Sequence, residues 1–315
     1  MMSRSKSFCA RNKVTCSERA GFSLVEVLVT IGVISVLLGL TLPAVQMARD
    51  SAARTRCSSN LREVGLALHN YHSVHEILPP QRSGPVKGGG LGNDPNRLLA
   101  WWTLILPYID QSALWTVSEQ ACLADSNPLH DPPHIGYSTV VRAYTCPADF
   151  RSNTPQLDLR YGKLTGLTGY IGVSGYPAVG PGVFGRSPGV TLTEITDGTS
   201  STLMVGERPP PDSLQAGQWY SNVIDTSRDP EHGPDGHMAV GEPHHPLDNT
   251  CRFAGRHYGP GRLSNPCDRY HFWSLHKGGS NFLFADGAIR FLPYSARDIL
   301  PLLATRSGGE VAEMP

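Results

Sequence analysis

Glu26 is the residue whose surroundings most demand a chemical partner. It is the only charged side chain between Phe22 and Ala48, a run that reads FSLVEVLVTIGVISVLLGLTLPAVQMA. A carboxylate at membrane depth costs on the order of 2 to 3 kcal/mol or more, so such a group is expected to serve a purpose and to meet a specific counterpart. A second set lies near the C-terminus, where His276 and Asp286-Gly287 offer a group that titrates near neutrality and a carboxylate, both of them metal-ligand types and possible acid–base groups. Asp286-Gly287 is also the pair that a tight hairpin turn prefers, and His276 would then cap the start of that hairpin by hydrogen bonding. Asp197, Glu207 and Asp286 are oxygen donors near predicted turns and are the candidates for calcium, although no run has EF-hand spacing. The segment from His232-Gly-Pro-Asp-Gly-His237 to His244-His-Pro-Leu-Asp248 concentrates His and Asp, which raises zinc or nickel. Pro and Gly punctuate it and no second pair at zinc-finger spacing follows, so it reads as a solvated surface loop suited to partner choice. For catalysis the signals are poor. Gly172-Val-Ser174-Gly-Tyr176 has Tyr where a nucleophile elbow needs its last Gly, and no Cys-x-x-Cys, His-Glu-x-x-His or phosphate-cradling Gly-Lys motif occurs. A non-enzymatic protein without a resident cofactor is expected.

The elements that must carry these residues follow from composition and period. Residues 1–21 hold Arg4, Lys6, Arg11, Lys13 and Arg19 against the single acid Glu18 and read as a basic leader. Residues 22–48 read as a transmembrane helix, since about 20 apolar residues span the hydrocarbon layer. A secretory signal is the rival, but its apolar core runs only about 7 to 15 residues and ends in small residues, unlike this run. The upstream basic cluster predicts a cytoplasmic N-terminus and a C-terminal domain in the periplasm or at the cell surface, although Arg49, Arg54 and Arg56 soften the asymmetry. Residues 49–80 are expected to continue the helix into water. There Ala53, Cys57, Leu61, Val64, Leu68 and Tyr71 recur at spacings of three and four and put one stripe against a core, with Pro43 as a hinge.

Ile77-Leu78-Pro79-Pro80 ends that helix, and residues 81–315 are the globular domain, beginning with a Gly/Pro-rich loop to residue 97. WWTLILPYIDQSALW predicts short helices laid on the core, the stretch from Tyr144 to Glu207 predicts antiparallel strands between turns, and Asn281 to Leu292 predicts a hairpin about Asp286-Gly287. Asp298 to Thr305 reads as a short helix. With 40% apolar residues there is enough to bury a core, while 33 Gly and 26 Pro predict many turns. The 27 basic and 27 acidic residues cancel, and nothing recommends nucleic acid as a partner.

Gly21-Phe22-Ser23-Leu24-Val25-Glu26, behind a basic leader and ahead of an apolar run, resembles the prepilin cleavage and methylation signal of type IV pilins and type II secretion pseudopilins. The resemblance implies that a prepilin peptidase cuts after Gly21 and methylates the new N-terminus at Phe22. It also implies that Glu26 is the assembly residue, and Pro43 falls where many type IV pilins carry a helix-loosening proline. The counterpart of Glu26 would be the α-amino group of an adjacent subunit, largely cationic near neutral pH because its reference pKa is about 8.

Downstream, Leu61-Arg-Glu-Val-Gly-Leu-Ala-Leu-His-Asn-Tyr71, Leu106-Pro-Tyr108, Cys146-Pro-Ala-Asp149, Asp197-Gly-Thr-Ser-Ser-Thr-Leu-Met-Val-Gly-Glu207 and His276-x9-Asp286-Gly287 resemble the family catalogued as domain of unknown function 1559. Together the resemblances imply an α+β, pilin-like fold, a long N-terminal helix on an antiparallel sheet with an enlarged loop-rich body. They imply a pseudopilin-like subunit of a type II secretion or type IV pilus-related assembly. Its partners would be the peptidase, itself or other pilin-like subunits, the assembly machinery and the inner membrane. The alternative is a membrane-tethered periplasmic binding or adhesion protein that does not polymerise.

Cleavage would remove Cys9 and Cys16 and leave Cys57, Cys122, Cys146, Cys251 and Cys267 on the oxidising side of the membrane. A Cys251–Cys267 disulfide would close a Gly/Arg-rich loop at a gain of roughly 3 kcal/mol on the chain-entropy model. Cys57 with Cys146 would tie the long helix to the sheet, and free buried thiols are the other possibility.

Overall fold

The computed structural model describes residues 23–80, 96, 98–159, 161–184, 189–214, 216–221, 237–240, 251 and 257–309. The chain divides into two compact units, residues 1–49 and 50–315. The first helix, α1 (Leu24–His75), begins in one and ends in the other, and it runs on past Pro43 without a break. A proline removes a single backbone hydrogen bond, so the hinge expected at Pro43 need not interrupt the helix. In the first unit every described side chain is exposed, and this helix is long and apolar enough to cross a membrane. Its hydroxyls turn inward: Thr30 donates to the Val27 carbonyl at 2.8 Å and Ser35 to the Ile31 carbonyl at 2.7 Å. Such back-bonding hides polar atoms that hydrocarbon could not solvate.

In the second unit the three-and-four stripe of α1 does what its period requires, and Cys57, Leu61, Val64, Leu68 and Tyr71 are buried. Fully burying each of Leu61, Val64 and Leu68 contributes about 1.5–3 kcal/mol. Helical geometry stops at Glu76, whose φ is 60°, and the Leu78 amide then donates to the Val190 carbonyl at 2.7 Å. Short helices follow: α2 (Trp101–Leu104), α3 (Ser112–Ala124) and α4 (Ile135–Ser138). Trp101 and Trp102 stack at 3.7 Å between ring centroids and are completely buried.

The strands are β1 (Gln156–Asp158), β2 (Lys163–Thr165), β3 (Tyr170–Val173), β4 (Gly175–Tyr176), β5 (Gly180–Pro181), β6 (Leu203–Glu207), β7 (His237–Met238), β8 (Gly279–Phe284) and β9 (Ile289–Pro293), followed by α5 (Leu300–Leu303). The main sheet has the order β7-β3-β6-β8-β9 and is antiparallel except where β7 lies parallel to β3. β7 corrects the solvated loop expected between His232 and Asp248. Residues 237–240 form an edge strand and its continuation with Met238 and Val240 buried, because their apolar side chains extend the core across β3; the remainder of that segment lies outside the described residues.

The sheet is covered on both faces, and the period of two sorts its side chains between two cores. Leu283 and Ala285 join α1 residues Leu61, Val64 and Leu68 on one side. Phe282, Phe284, Ile171 and Val173 join Phe272, Met238, Leu300 and Leu303 on the other. Gly65 lets α1 approach closely, since a Cβ there would stand 2.8 Å from a Leu283 methyl. The hairpin expected between Asn281 and Leu292 is β8–β9, with Gly287 at φ 85° and the Asp286 carboxylate accepting from the Ala288 amide at 2.9 Å.

Burial disfavours the charged form of three imidazoles among the described residues of this unit. Desolvation lowers the proton affinity of His69, His134 and His271. His134 is seated as a neutral ring, its Nε2–H donating to the Asp125 carbonyl at 2.9 Å while Nδ1 accepts from the Tyr220 hydroxyl at 3.1 Å. The unfolded chain protonates these rings near their ordinary value of 6.5, whereas the folded chain resists protonation. Their stabilisation is therefore complete above that value and is lost as pH falls below it toward the depressed folded pKa. Thermal unfolding of the full chain should move to lower temperature between about pH 7.5 and about pH 5.5, and His134→Gln should flatten that slope. A melting temperature constant across the window would contradict the neutral, buried rings.

Candidate functional site

Two regions carry the residues singled out by sequence. At the N-terminus, Gly21 and Phe22 lie outside the described residues. Glu26 stands in the first turn of α1, exposed, and its Oε2 accepts from the Ser23 amide at 2.9 Å. That bond satisfies one of the amide donors that every helix start leaves unpaired, and a carboxylate in the first turn also complements the helix dipole. The carboxylate is held at the helix terminus, four residues after Phe22 in the sequence.

The second region lies where α1, the segment after Tyr144, β6 and the approach to β8 meet. Cys57 on α1 and Cys146 are joined by a disulfide, with Cα atoms 5.0 Å apart. Closing a loop of that span, with a sequence separation of 89 residues, removes unfolded-state freedom corresponding to about 4–5 kcal/mol on the chain-entropy model. The junction is reinforced from α1 by Asn60, whose amide donates to the Thr145 carbonyl at 2.6 Å, and from β3 by the Tyr170 hydroxyl, which donates to the Cys57 carbonyl at 3.2 Å.

Beside the disulfide, Glu207 at the end of β6 is buried with all its polar atoms engaged. Its Oε2 accepts from the Asn281 amide at 2.6 Å, and its Oε1 accepts from Asn281 Nδ2 at 3.0 Å and faces His276 Nε2 at 3.3 Å. His276 Nε2 also stands 3.5 Å from Cys146 Sγ. The His276 side chain thus does not merely cap the β8–β9 hairpin as expected; its backbone amide binds the Ser274 hydroxyl at 3.0 Å while its ring turns inward to the buried carboxylate, which needs a donor there. Asp149 closes the neighbouring side, accepting from Arg151 Nε at 2.9 Å and Nη2 at 2.7 Å.

The three calcium candidates do not converge. Asp197 holds the Gly308-Gly309 segment, accepting from the Gly308 amide at 2.7 Å and the Gly309 amide at 2.9 Å, Asp286 is committed to its hairpin turn, and Glu207 is in the buried cluster. Among the described residues, only Cys57, Cys146, Glu207 and His276 form a group of metal-ligand types close enough to share one ion. Cys251 and Cys267 form a second disulfide, with Cα atoms 5.3 Å apart, and Cys122 is a buried thiol.

A family model described as the prokaryotic N-terminal methylation motif matches residues 16–42, and one described as "Protein of unknown function (DUF1559)" matches residues 46–298. The chain belongs to the DUF1559 family. With the methylation motif in front of it, this DUF1559 chain is a protein of the type IV pilin or pseudopilin type. No curated protein and no solved structure matches it. The methylation match covers Gly21, Phe22 and Glu26, and the DUF1559 match covers every residue of the buried junction.

Sequence reasoning singled out Cys146, Glu207 and His276 separately but not their meeting, and it missed Asn281. The available signal was that each of the first three opens or closes a compact motif, Cys146-Pro-Ala-Asp149, Asp197 to Glu207, and His276-x9-Asp286-Gly287. Replacing Asn281 by Ala would leave the buried Glu207 carboxylate short of a donor, at a cost of about 1.5–3 kcal/mol. Denaturant unfolding of the full chain should show that loss in Asn281→Ala and a smaller one in Asn281→Asp at low pH, where the introduced acid is protonated and can donate. Unchanged stability in Asn281→Ala would remove Asn281 from the junction.

Proposed function

We propose that this chain is a non-enzymatic pseudopilin-like subunit of a type II secretion or type IV pilus-related envelope assembly. In this reading residues 1–21 are a leader removed by a prepilin peptidase, Phe22 becomes a methylated N-terminus, and residues 22–48 anchor the subunit in the inner membrane. Residues 49–80 continue the helix outside the membrane into the body, residues 81–315, which lies in the periplasm or at the cell surface. The observation that carries the reading is the N-terminal part of α1, an exposed apolar helix whose one acid, Glu26, sits in the first turn and inside a matched methylation motif.

The physical logic is a paired burial. A carboxylate and an ammonium are each costly at membrane depth, and bringing the Glu26 of one subunit to the Phe22 amino group of the next offsets both while fixing their register. The apolar side chains around Glu26 would be covered by lipid before assembly and by neighbouring helices after it. A structural rather than catalytic role agrees with a second unit whose charged groups at the junction are tied to one another rather than to an open cleft.

A membrane-tethered binding or adhesion protein is the second reading, favoured by a body that forms a complete compact unit over residues 50–315. Fibres sheared from cells expressing the native chain or Glu26→Val separate the two. The subunit reading predicts polymer from the native chain and none from Glu26→Val, with the variant still processed and retained in the membrane. Polymer that survives Glu26→Val would overturn the assembly role of Glu26, and a native chain that is processed yet never found in polymer would favour the tethered protein.

A further inference from the structure

The buried junction contains more than a staple, because its disulfide is flanked by two further ligand types. We propose that Cys57, Cys146, His276 and Glu207 form a site for a zinc-type divalent cation, which the disulfide closes and its reduction opens. One ligand atom from each residue lies within 4.8 Å of all the others, and all four residues are buried. Nothing in this inference depends on whether the chain polymerises.

Two of the ligand–ligand distances already match those around a tetrahedral ion. A tetrahedral ion bound at about 2.0 Å to nitrogen and oxygen and about 2.3 Å to sulfur sets a nitrogen–oxygen edge of about 3.3 Å and a nitrogen–sulfur edge of about 3.5 Å. His276 Nε2 stands 3.3 Å from Glu207 Oε1 and 3.5 Å from Cys146 Sγ. The sulfur–sulfur edge must lengthen from that of the covalent bond to about 3.8 Å, which side-chain rotation at Cys57 and Cys146 supplies once the bond is gone.

The donor set selects the class of ion. Two thiolates and an imidazole suit zinc and related borderline-soft ions and disfavour calcium and magnesium, which take oxygen ligands. Glu207 is oriented for the task by the Asn281 amide on Oε2 and Asn281 Nδ2 on Oε1, the kind of outer support that metal-binding carboxylates use. A small pocket lined by Cys146, Glu207, Asp149 and Ser274 borders the cluster.

The opening step balances with a dithiol as reductant. Its two thiols pass two electrons and two protons to the Cys57–Cys146 bond, leaving two protein thiols and the oxidised dithiol as a cyclic disulfide. The cation then displaces the two thiol protons, and His276 offers the Nε2 lone pair after its proton shifts to Nδ1. Oxidised, the long helix is tied to the Cys146 segment by a covalent bond; reduced, it is tied by the ion.

The test uses the full chain in detergent micelles with Cys9→Ser, Cys16→Ser, Cys251→Ser and Cys267→Ser, so that Cys57 and Cys146 are the only pair reduced and Cys122 is the only other thiol. After treatment with excess dithiol and its removal without oxygen, cobalt(II) is titrated in, followed by zinc(II), with near-ultraviolet dichroism of the buried Trp101 and Trp102 as the measure of folding. One cobalt per chain, with thiolate charge-transfer and tetrahedral ligand-field bands that zinc displaces, is the expected result. The unreduced chain should give none of these bands, and His276→Ala should weaken binding at least about tenfold. A reduced chain that keeps its dichroism but shows no tetrahedral cobalt spectrum would overturn the proposal. So would a reduced chain whose lost dichroism cobalt fails to restore, or a spectrum that survives Cys57→Ser with Cys146→Ser.

Discussion

From Leu24 to Met47 the first helix presents large aliphatic side chains on every side, and all of them are exposed. Water cannot be their resting environment, because the cost of leaving that much apolar surface wet is of the order of about 25 cal/mol for each Å². Two media remove it: the hydrocarbon of a bilayer and the equally apolar flank of another such helix. Backbone groups impose no penalty in either, since the helix satisfies them internally and the hydroxyls of Thr30 and Ser35 fold back on the carbonyls one turn earlier. Glu26 is the exception that makes the two media unequal. In lipid it lacks a countercharge, and beside a neighbour's cationic N-terminus it would find one.

The same helix then changes role along its length without changing secondary structure. Beyond Arg49 its stripe of Cys57, Leu61, Val64 and Leu68 becomes one wall of a core whose other wall is the sheet. Gly65 sets how close the two come, and the Cys57–Cys146 disulfide with Asn60 and Tyr170 fixes where along the helix they meet. Buried covalent and charged contacts join this part of the helix to the sheet.

Local patterns carried much of this architecture in the sequence. The period of three and four marked α1 through Tyr71, the Asp286-Gly287 pair marked the β8–β9 turn, and Trp101 and Trp102 marked short core helices. What local pattern could not carry was long-range convergence. Cys146, Glu207 and His276 meet only because the order β3-β6-β8 brings distant segments side by side, and no spacing in the chain encodes that order. β7 was illegible for a related reason: two residues beside Gly and Pro have no period of their own, and only the exposed edge of β3 makes them a strand. β8 is buried throughout rather than alternately, because both faces of the sheet are covered, and alternation in the sequence sorts its residues between two cores instead of between core and water.

The central proposal is that the apolar helix begins at a processed amino terminus, Phe22, in a pilin-like subunit. Intact-protein mass spectrometry of the chain extracted from membranes tests this most directly. The account predicts a mass that begins at Phe22 and carries one added methyl group. A chain that begins at Met1, or one cut beyond Ala48, would contradict it.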